Sequence, residues 1–248
     1  MNIVNTFFQQ VQPNPEMNRF LKEWLAYCLC GDTSHEVFKV NVGNGSNGKT
    51  AEFMIHMICF PLYCMKVNNK TFTYEYESNR HKEMRRQIDE PIRFTAVEEM
   101  VMKRADEDYT KEYVSGSSIS LRVMYGDCVE IRSQAKLNTC SQHEPNMRGD
   151  GGILRRGLLQ RYNSTFVDEE CDVNETSHIY IKDKGFHKKF NNDDMKLAYF
   201  HVLLDNYKDL KIPNSLRNNF KESLSVGDNF KTKFEDSYEI VDFESFIS

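Results

Sequence analysis

Residues 43–50, Gly-Asn-Gly-Ser-Asn-Gly-Lys-Thr, constrain the fold of this chain more than any other stretch. They fit G-x-x-x-x-G-K-[ST] and stand between an apolar run, EVFKVNV over 36–42, and a helical run from Lys49 to about Phe60 that Pro61 stops. A strand that turns through a Gly-rich loop into a helix aims backbone N–H groups and the positive end of the helix dipole at one point, where an anion can sit. Read this way, Gly43, Asn44, Gly45, Ser46, Asn47 and Gly48 wrap the β- and γ-phosphates of a nucleotide, Lys49 neutralises their charge, and the Thr50 hydroxyl ligates Mg²⁺.

Such a loop needs an acidic partner at the end of a neighbouring strand. Residues 92–97, after Pro91, read as a strand that ends in Glu98-Glu99. Glu98 is assigned to the metal side and Glu99 to water activation, with the reverse order open. Around this pair the chain alternates helical and extended patterns. A helix is expected over 16–30, capped by Asn14, with Pro15 in its first turn and Gly31 after it; Phe20, Leu21, Trp24, Leu25 and Cys28 form its buried face. Further helices are predicted over 78–90, 106–114 and 193–207, and strands over 136–141 and 158–167. Residues 119–125 and 128–132, joined by Gly126-Asp127, read as a β-hairpin. A Gly-rich loop over 148–152 precedes Arg155-Arg156, and 168–175 is an acidic loop.

Composition excludes several classes. With 32 Lys+Arg against 37 Asp+Glu the net charge is −5, so any contact with nucleic acid must be local. The longest apolar run, 53–67, is broken by His56 and Pro61 and falls short of the roughly 20 residues of a spanning helix. Residues 1–10 lack a basic start followed by an apolar stretch, which argues against a secretory signal and for an intracellular location. Seven cysteines without a C-x-x-C pair predict reduced thiols. His35, His81, His143, His178, His187 and His201 show no ligand spacing and read as structural. The N-x-[ST] sequons at Asn44, Asn69, Asn163 and Asn174 read as chance, since the first lies inside the phosphate loop.

The spelling G-x-G-S-N-G-K-[ST] resembles the superfamily 3 helicases, in particular the poxvirus-type primase-helicases of large DNA viruses. Leu25 to Asp32 resembles the family's lead-in, Lys111 to Arg122 its K-E-L-T-G-G-D-x-I-x-A-R, with Met124-Tyr125 after it, and Lys136 to Pro145 its third motif. Residues 150–168 follow its D-G-x-W-R-R … F-V-D stretch, so the likeness spans about residues 16–210.

The resemblance implies an α/β fold: a mostly parallel P-loop NTPase sheet, AAA+-like, with a β-hairpin insertion and a small helical C-terminal region. It divides the chain into a helical lead-in (1–32), an ATPase core (33–175) and a helical C-terminal region (176–248). It further implies an ATP- and Mg²⁺-dependent DNA helicase of viral replication, acting as a ring, a hexamer, on single-stranded or forked DNA in the host cytoplasm or at a viral replication site. Gln142 stands at the sensor asparagine, Ser117 replaces the acid of G-G-D, and Arg156, with Arg155 as second choice, stands at the arginine finger that reaches the neighbouring subunit's nucleotide. Arg122, Tyr125 and Arg132 of the hairpin are the implied DNA contacts, a ring to stack on a base and cations to meet phosphate. The family's primase region is not in this sequence, so a separate primase is a possible partner. Gln142 and Ser117 leave open a catalytically weak nucleotide-binding ring or clamp on DNA, and a P-loop ATPase that acts on protein is a second alternative.

Overall fold

The structure, a computed structural model, describes residues 2–100, 105–122, 127–144 and 150–224. Two helices, α1 (Asn2–Val11) and α2 (Pro15–Tyr27), lead into β1 (Phe38–Val42), α3 (Lys49–Cys59) and β2 (Cys64–Lys66). Next come α4 (Glu77–Met84), α5 (Arg86–Asp89), β3 (Phe94–Glu98), α6 (Glu107–Val114), the hairpin strands β4 (Ser118–Arg122) and β5 (Cys128–Arg132), and β6 (Lys136–Ser141). The order ends with α7 (Gly151–Arg156), β7 (Gly157–Arg161), β8 (Thr165–Val167), β9 (Ile179–Ile181), α8 (Phe186–Lys189) and α9 (Asp193–Asp205), followed by helical residues 214–224.

Five strands form one sheet in the order β2-β3-β6-β1-β7, and every pairing in it is parallel. The register sets Val40 of β1 between Thr139 of β6 and Leu159 of β7, and Ala96 of β3 beside Asn138. β1 and β6 are buried along their whole length, as a parallel sheet with both faces covered requires. One face packs against α1, α2, α3 and α9 through Phe8, Trp24, Phe53 and Tyr199; the other packs against Phe72, Tyr113 and Phe220. Trp24 is core, as expected, and its indole N–H donates to Asn138 Oδ1 at 2.6 Å. The α/β class, the mostly parallel sheet and the hairpin insertion therefore stand.

Several expected elements keep their place and change their bounds. Asn14 caps α2 by accepting from the N–H groups of Glu16 and Met17, but the helix stops at Tyr27, before Gly31. The single helix expected over 78–90 is two, α4 and α5, and the break lets Met84 enter the core while Arg86 reaches the Cys64 carbonyl and Glu90. The strand expected over 158–167 is also two. β7 stays in the main sheet, and the chain then leaves it, Ser164 Oγ donating to the Gln10 carbonyl, so that β8 pairs in parallel with β9. That pairing crosses the 175/176 boundary drawn from the sequence.

The hairpin β4–β5 is antiparallel, with Ser118 opposite Arg132 and Arg122 opposite Cys128; its tip, including Tyr125, lies outside the described residues. All seven cysteines are free thiols. No helix among the described residues is long and apolar enough to cross a membrane.

One core residue carries a pH signature. His56 of α3 is fully buried, with Nδ1 3.1 Å from the Tyr199 hydroxyl of α9 and Nε2 without a partner. Burial, helped by the charge of Lys39, lowers its pKa to about 3, so the folded ring is neutral while the unfolded ring takes up a proton below about 6.5. The stability present above pH 6.5 is lost as pH falls toward 3. Denaturant unfolding at pH 7 and pH 5 is expected to show about 2 kcal/mol less loss in His56→Leu than in the parent, because that variant has no proton to take up at this site. Equal losses in the two proteins would remove His56 as the cause.

Candidate functional site

The carboxyl ends of β1, β6 and β3 lie at one edge of the sheet, the position where open α/β sheets bind ligands. β1 delivers the 43–48 loop there. Gly45, Ser46 and Gly48 all take left-handed backbone angles, φ +95°, +45° and +89°, and the turn brings Gly48 to the N-cap of α3. Asn47 is buried inside the loop; its Nδ2 donates to the Tyr162 carbonyl at 3.3 Å and its Oδ1 accepts from Lys49 Nζ at 3.1 Å. A Cβ on Gly43 would stand 2.0 Å from that Nδ2, so glycine is required there by space alone. Lys49 also donates to the Gly43 carbonyl. Burial lowers its pKa, and the nearby Glu99 charge acts against that.

The loop is anchored from below. Lys39 Nζ of β1 lies 2.9 Å from Glu52 Oε1 of α3 and 3.3 Å from Gln160 Oε1 of β7, and the Tyr162 hydroxyl donates to the same Glu52 carboxylate. Lys39, Glu52 and Gln160 are fully buried.

A cavity of about 350 Å³ opens over the loop, lined by Gly45 to Ala51 with Lys49 and Thr50, and by Glu99 and Gln142. Of the two acidic residues, the structure brings Glu99 to this cavity: its φ of +49° ends the strand alternation and leaves the side chain exposed there. Glu98 is not part of the lining, and its Oε2 is held by Lys66 Nζ at 2.6 Å. Gln142 also lines a polar cleft on the other side of the loop, next to Glu144 and Arg161, which pair at 2.6 Å. Gly43 and Asn44 belong to that cleft.

The remaining expected residues lie elsewhere. Arg156, in the last turn of α7, is 9% exposed, donates to Glu36 Oε2 at 2.8 Å and to the Gly152 carbonyl at 3.1 Å, and leaves Nε unpartnered. Arg155 shares Glu36 at 3.3 Å, but its side chain is 65% exposed. Neither lines the cavity of its own chain. Arg122 and Arg132 lie on the exposed face of the hairpin, one beside the tip and one at the base, and the Arg122 N–H donates to His81 Nδ1. Among the described residues no group of three or more His, Cys, Asp or Glu side chains is arranged to hold a metal. The sequence reading gave no site role to Phe7, Gln10, Phe166, Ile181 and Phe186, which also line the cavity. They come from segments far apart in the chain, and of them only Phe166, in the F-V-D stretch, falls within a motif.

No family model matches the chain. A Sputnik virophage protein named as a helicase is 23% identical over 201 residues, 74% of this chain and 24% of that protein. The apo structure of the NrS-1 C-terminal region superposes with a TM-score of 0.60 at 11% identity, covering 92% of this chain and 51% of that one. Its A form apo structure gives 0.59 at 12% identity. The chain thus has the α/β fold of the NrS-1 region and a distant sequence relation to a helicase-named protein. It spans about a quarter of the virophage protein's length and about half of the NrS-1 region.

The close packing of α1 on the loop is open to a direct check. A Cβ on Gly48 would meet Val11 Cγ2 at 2.7 Å, in addition to the left-handed backbone that costs an L-residue about 1–2 kcal/mol. In a double-mutant cycle read by denaturant unfolding, Gly48→Ala is expected to destabilise by more than the backbone term, and Val11→Ala to cost less in its presence than alone. Strict additivity would mean that the two residues do not touch.

Proposed function

We propose that the chain is the motor domain of a superfamily 3-type DNA helicase, which hydrolyses ATP with Mg²⁺ between the subunits of a ring, a hexamer, and moves along single-stranded DNA in viral DNA replication. The observation that carries this reading is the meeting of the 43–50 loop, Glu99 and Gln142 in one cavity at the carboxyl edge of a parallel sheet. The distant likeness to a helicase-named protein supports it.

The loop N–H groups and the start of α3 suit a triphosphate. Lys49, which donates to the Gly43 carbonyl and Asn47 Oδ1, exchanges these oxygens for phosphate oxygens. Thr50 faces the same cavity, and its hydroxyl fits a magnesium ion whose other ligands are water and substrate oxygens. Bound there, magnesium would neutralise charge on the β- and γ-phosphate oxygens. Glu99 accepts the proton of the attacking water, and the Gln142 amide orients that water. Glu98 reaches the metal side only if it leaves Lys66.

Arg155 and Arg156 are the finger candidates. Arg156 is anchored by two hydrogen bonds in a buried site, so we assign the reach into the neighbouring subunit to Arg155, with Arg156 holding Glu36 in place. The DNA contacts are Arg122 and Arg132 on the exposed hairpin face, together with Tyr125.

Lys49→Ala is expected to lower ATP turnover at least about a hundredfold, and Glu99→Gln to leave ATP bound but unreacted. Single-stranded DNA should stimulate the parental rate. Turnover indifferent to DNA would favour an ATPase that acts on protein, and binding without turnover a clamp. Turnover at the parental rate in Lys49→Ala would overturn the site assignment.

The finger is tested by subunit mixing. Arg155→Ala and Lys49→Ala proteins should each be inactive and should recover activity when mixed, at interfaces that pair an intact loop with an intact finger. The loss in Arg155→Ala alone is expected to reach about three to five decades, roughly 4–7 kcal/mol. If Arg155→Ala is active by itself while Arg156→Ala shows the rescue pattern, the roles of the two arginines are exchanged.

A further inference from the structure

Two cavities away from the 43–50 loop lie side by side along the seam between α2 and the end of α9. One, of about 510 Å³, is polar: Gln9, Asn18, Arg19, Lys22, Tyr180 and Asn206 line it, and among the described residues no carboxylate does. The other, of about 230 Å³, is apolar, with Ala26 and Leu29 on one side and Phe200, Leu204 and Tyr207 on the other. They adjoin, because Lys22 lines the first and Ala26, one turn along α2, the second, while Asn206 lines the first and Tyr207 the second. We propose that residues 234–248 of this chain dock on the seam, with their acidic side chains in the polar cleft and their rings in the apolar groove. None of the residues assigned above to nucleotide or DNA takes part.

The cleft holds positive charge that the fold leaves incompletely matched. Lys22 Nζ donates to Asn5 Oδ1 at 3.3 Å, a neutral acceptor, and lies 5.4 Å from the centre of the Phe8 ring; burial lowers its pKa. Arg19 Nε lies 3.7 Å from Glu23 Oε1, which Lys208 Nζ already meets at 3.2 Å. A cation drawn partly out of water beside neutral groups gains from an anion brought to it. Asn18 and Asn206 spend one amide N–H each on the Gln12 and Val202 carbonyls and keep a second for a carboxylate oxygen.

The groove has the opposite chemistry. Leu197, Phe200, Leu204 and Tyr207 recur at helical spacing and share one face of α9 and the turn after it; Leu197, Leu204 and Tyr207 are each more than half exposed. Around this face the exposed charges are mixed, Asp205 and Asp209 with Lys208 and Lys211, so it selects for apolar contact and not for charge.

The chain itself carries a segment with both properties. Residues 234–248 hold five acids, no Lys or Arg, and the rings of Phe234, Tyr238, Phe243 and Phe246. The last described stretch, helical over 214–224, packs its Leu216 in the same cluster as Leu25 and Leu203 of the seam elements. Residue 224 stands about 12 Å along that helix from Leu216, and the ten residues 225–234 span up to about 33 Å when extended, which is long enough to bring the segment to the seam of its own chain.

The test uses the full chain with Phe243→p-benzoylphenylalanine, a photo-crosslinking residue that keeps an aromatic side chain, and maps its adducts by peptide mass spectrometry. Adducts are expected on residues 18–30 and 197–207 of the same chain, with a yield that does not change on tenfold dilution. Arg19→Glu with Lys22→Glu is expected to cut that yield about fivefold, the scale of two exposed ion pairs, and Asp242→Lys with Glu244→Lys added to the same chain to restore it. Restoration excludes unfolding as the cause of the loss; a loss that the charge swap leaves in place overturns the seating of the acids in the cleft. Adducts elsewhere on the chain, or none, overturn the docking. So do seam adducts found only between two chains with a yield that falls on dilution, which would make the occupant a second copy. If charge reversal leaves the yield unchanged and instead abolishes binding of a single-stranded DNA oligonucleotide, the cleft belongs to nucleic acid and the segment does not fill it.

Discussion

Lys39 and Glu52 meet at 2.9 Å with both side chains withdrawn from water, and the geometry of the 43–50 loop depends on that contact. Burial pushes the Lys39 pKa down while Glu52 pushes it up, and the Gln160 and Tyr162 side chains supply the hydrogen bonds that such a pair needs. A buried pair of this kind adds little net stability compared with apolar packing, but losing one partner costs about 3–5 kcal/mol because the other charge is stranded. Its value here is positional. It ties the strand before the loop to the helix after it, and through Gln160 and Tyr162 to β7 and the residue beyond it. Tyr162 in turn presents its carbonyl to Asn47, which holds Lys49.

The strand order carries this positioning outward. β6 lies between β1 and β3, so the acids after β3 stand two strands from the loop, with Gln142 at the end of the strand between them. Strands in a sheet are about 4.8 Å apart, which puts roughly 10 Å between the end of β1 and the end of β3. In the proposed nucleotide site that gap would suit a carboxylate acting on the outer face of a terminal phosphate through a water molecule, with an amide midway. The left-handed backbone at Glu99 turns its carboxylate back toward the loop, while Glu98 stays with Lys66.

Much of this frame was legible in the sequence because it is written in short-range chemistry. The loop motif, the Asn14 cap, Pro61 after α3 and the apolar strands at 36–42, 92–97 and 136–141 each act within a few residues of themselves. What escaped reading depends on partners far along the chain. The split of 158–167 follows from the Ser164 bond to Gln10 and the pairing of β8 with β9; the split of 78–90 follows from the burial of Met84 against distant elements. Choosing between Glu98 and Glu99 needed the backbone angle at Glu99 and the position of Lys66, neither of which a pair of adjacent glutamates reveals. The aromatic side chains in the cavity lining come from residues 7, 166 and 186, which no window on the sequence spans.

Glu36 stands just before β1, at the sheet edge opposite the 43–48 loop, and anchors the two arginines that end α7. It takes a left-handed backbone angle, φ +49°, and its one carboxylate accepts from both Arg155 and Arg156. An exposed pair such as Glu36–Arg155 is worth about 0–1 kcal/mol, so Arg155 can leave at little cost, and a terminal phosphate with more than one negative charge would draw it away. Arg156 is different: its guanidinium is largely out of water, and releasing it would leave further buried N–H groups unpartnered beside an Nε that already is. One carboxylate thus holds a fixed and a releasable arginine side by side. In the proposed ring, an arginine acting on a neighbouring subunit would draw on both, a mobile charge and a rigid base from which it extends.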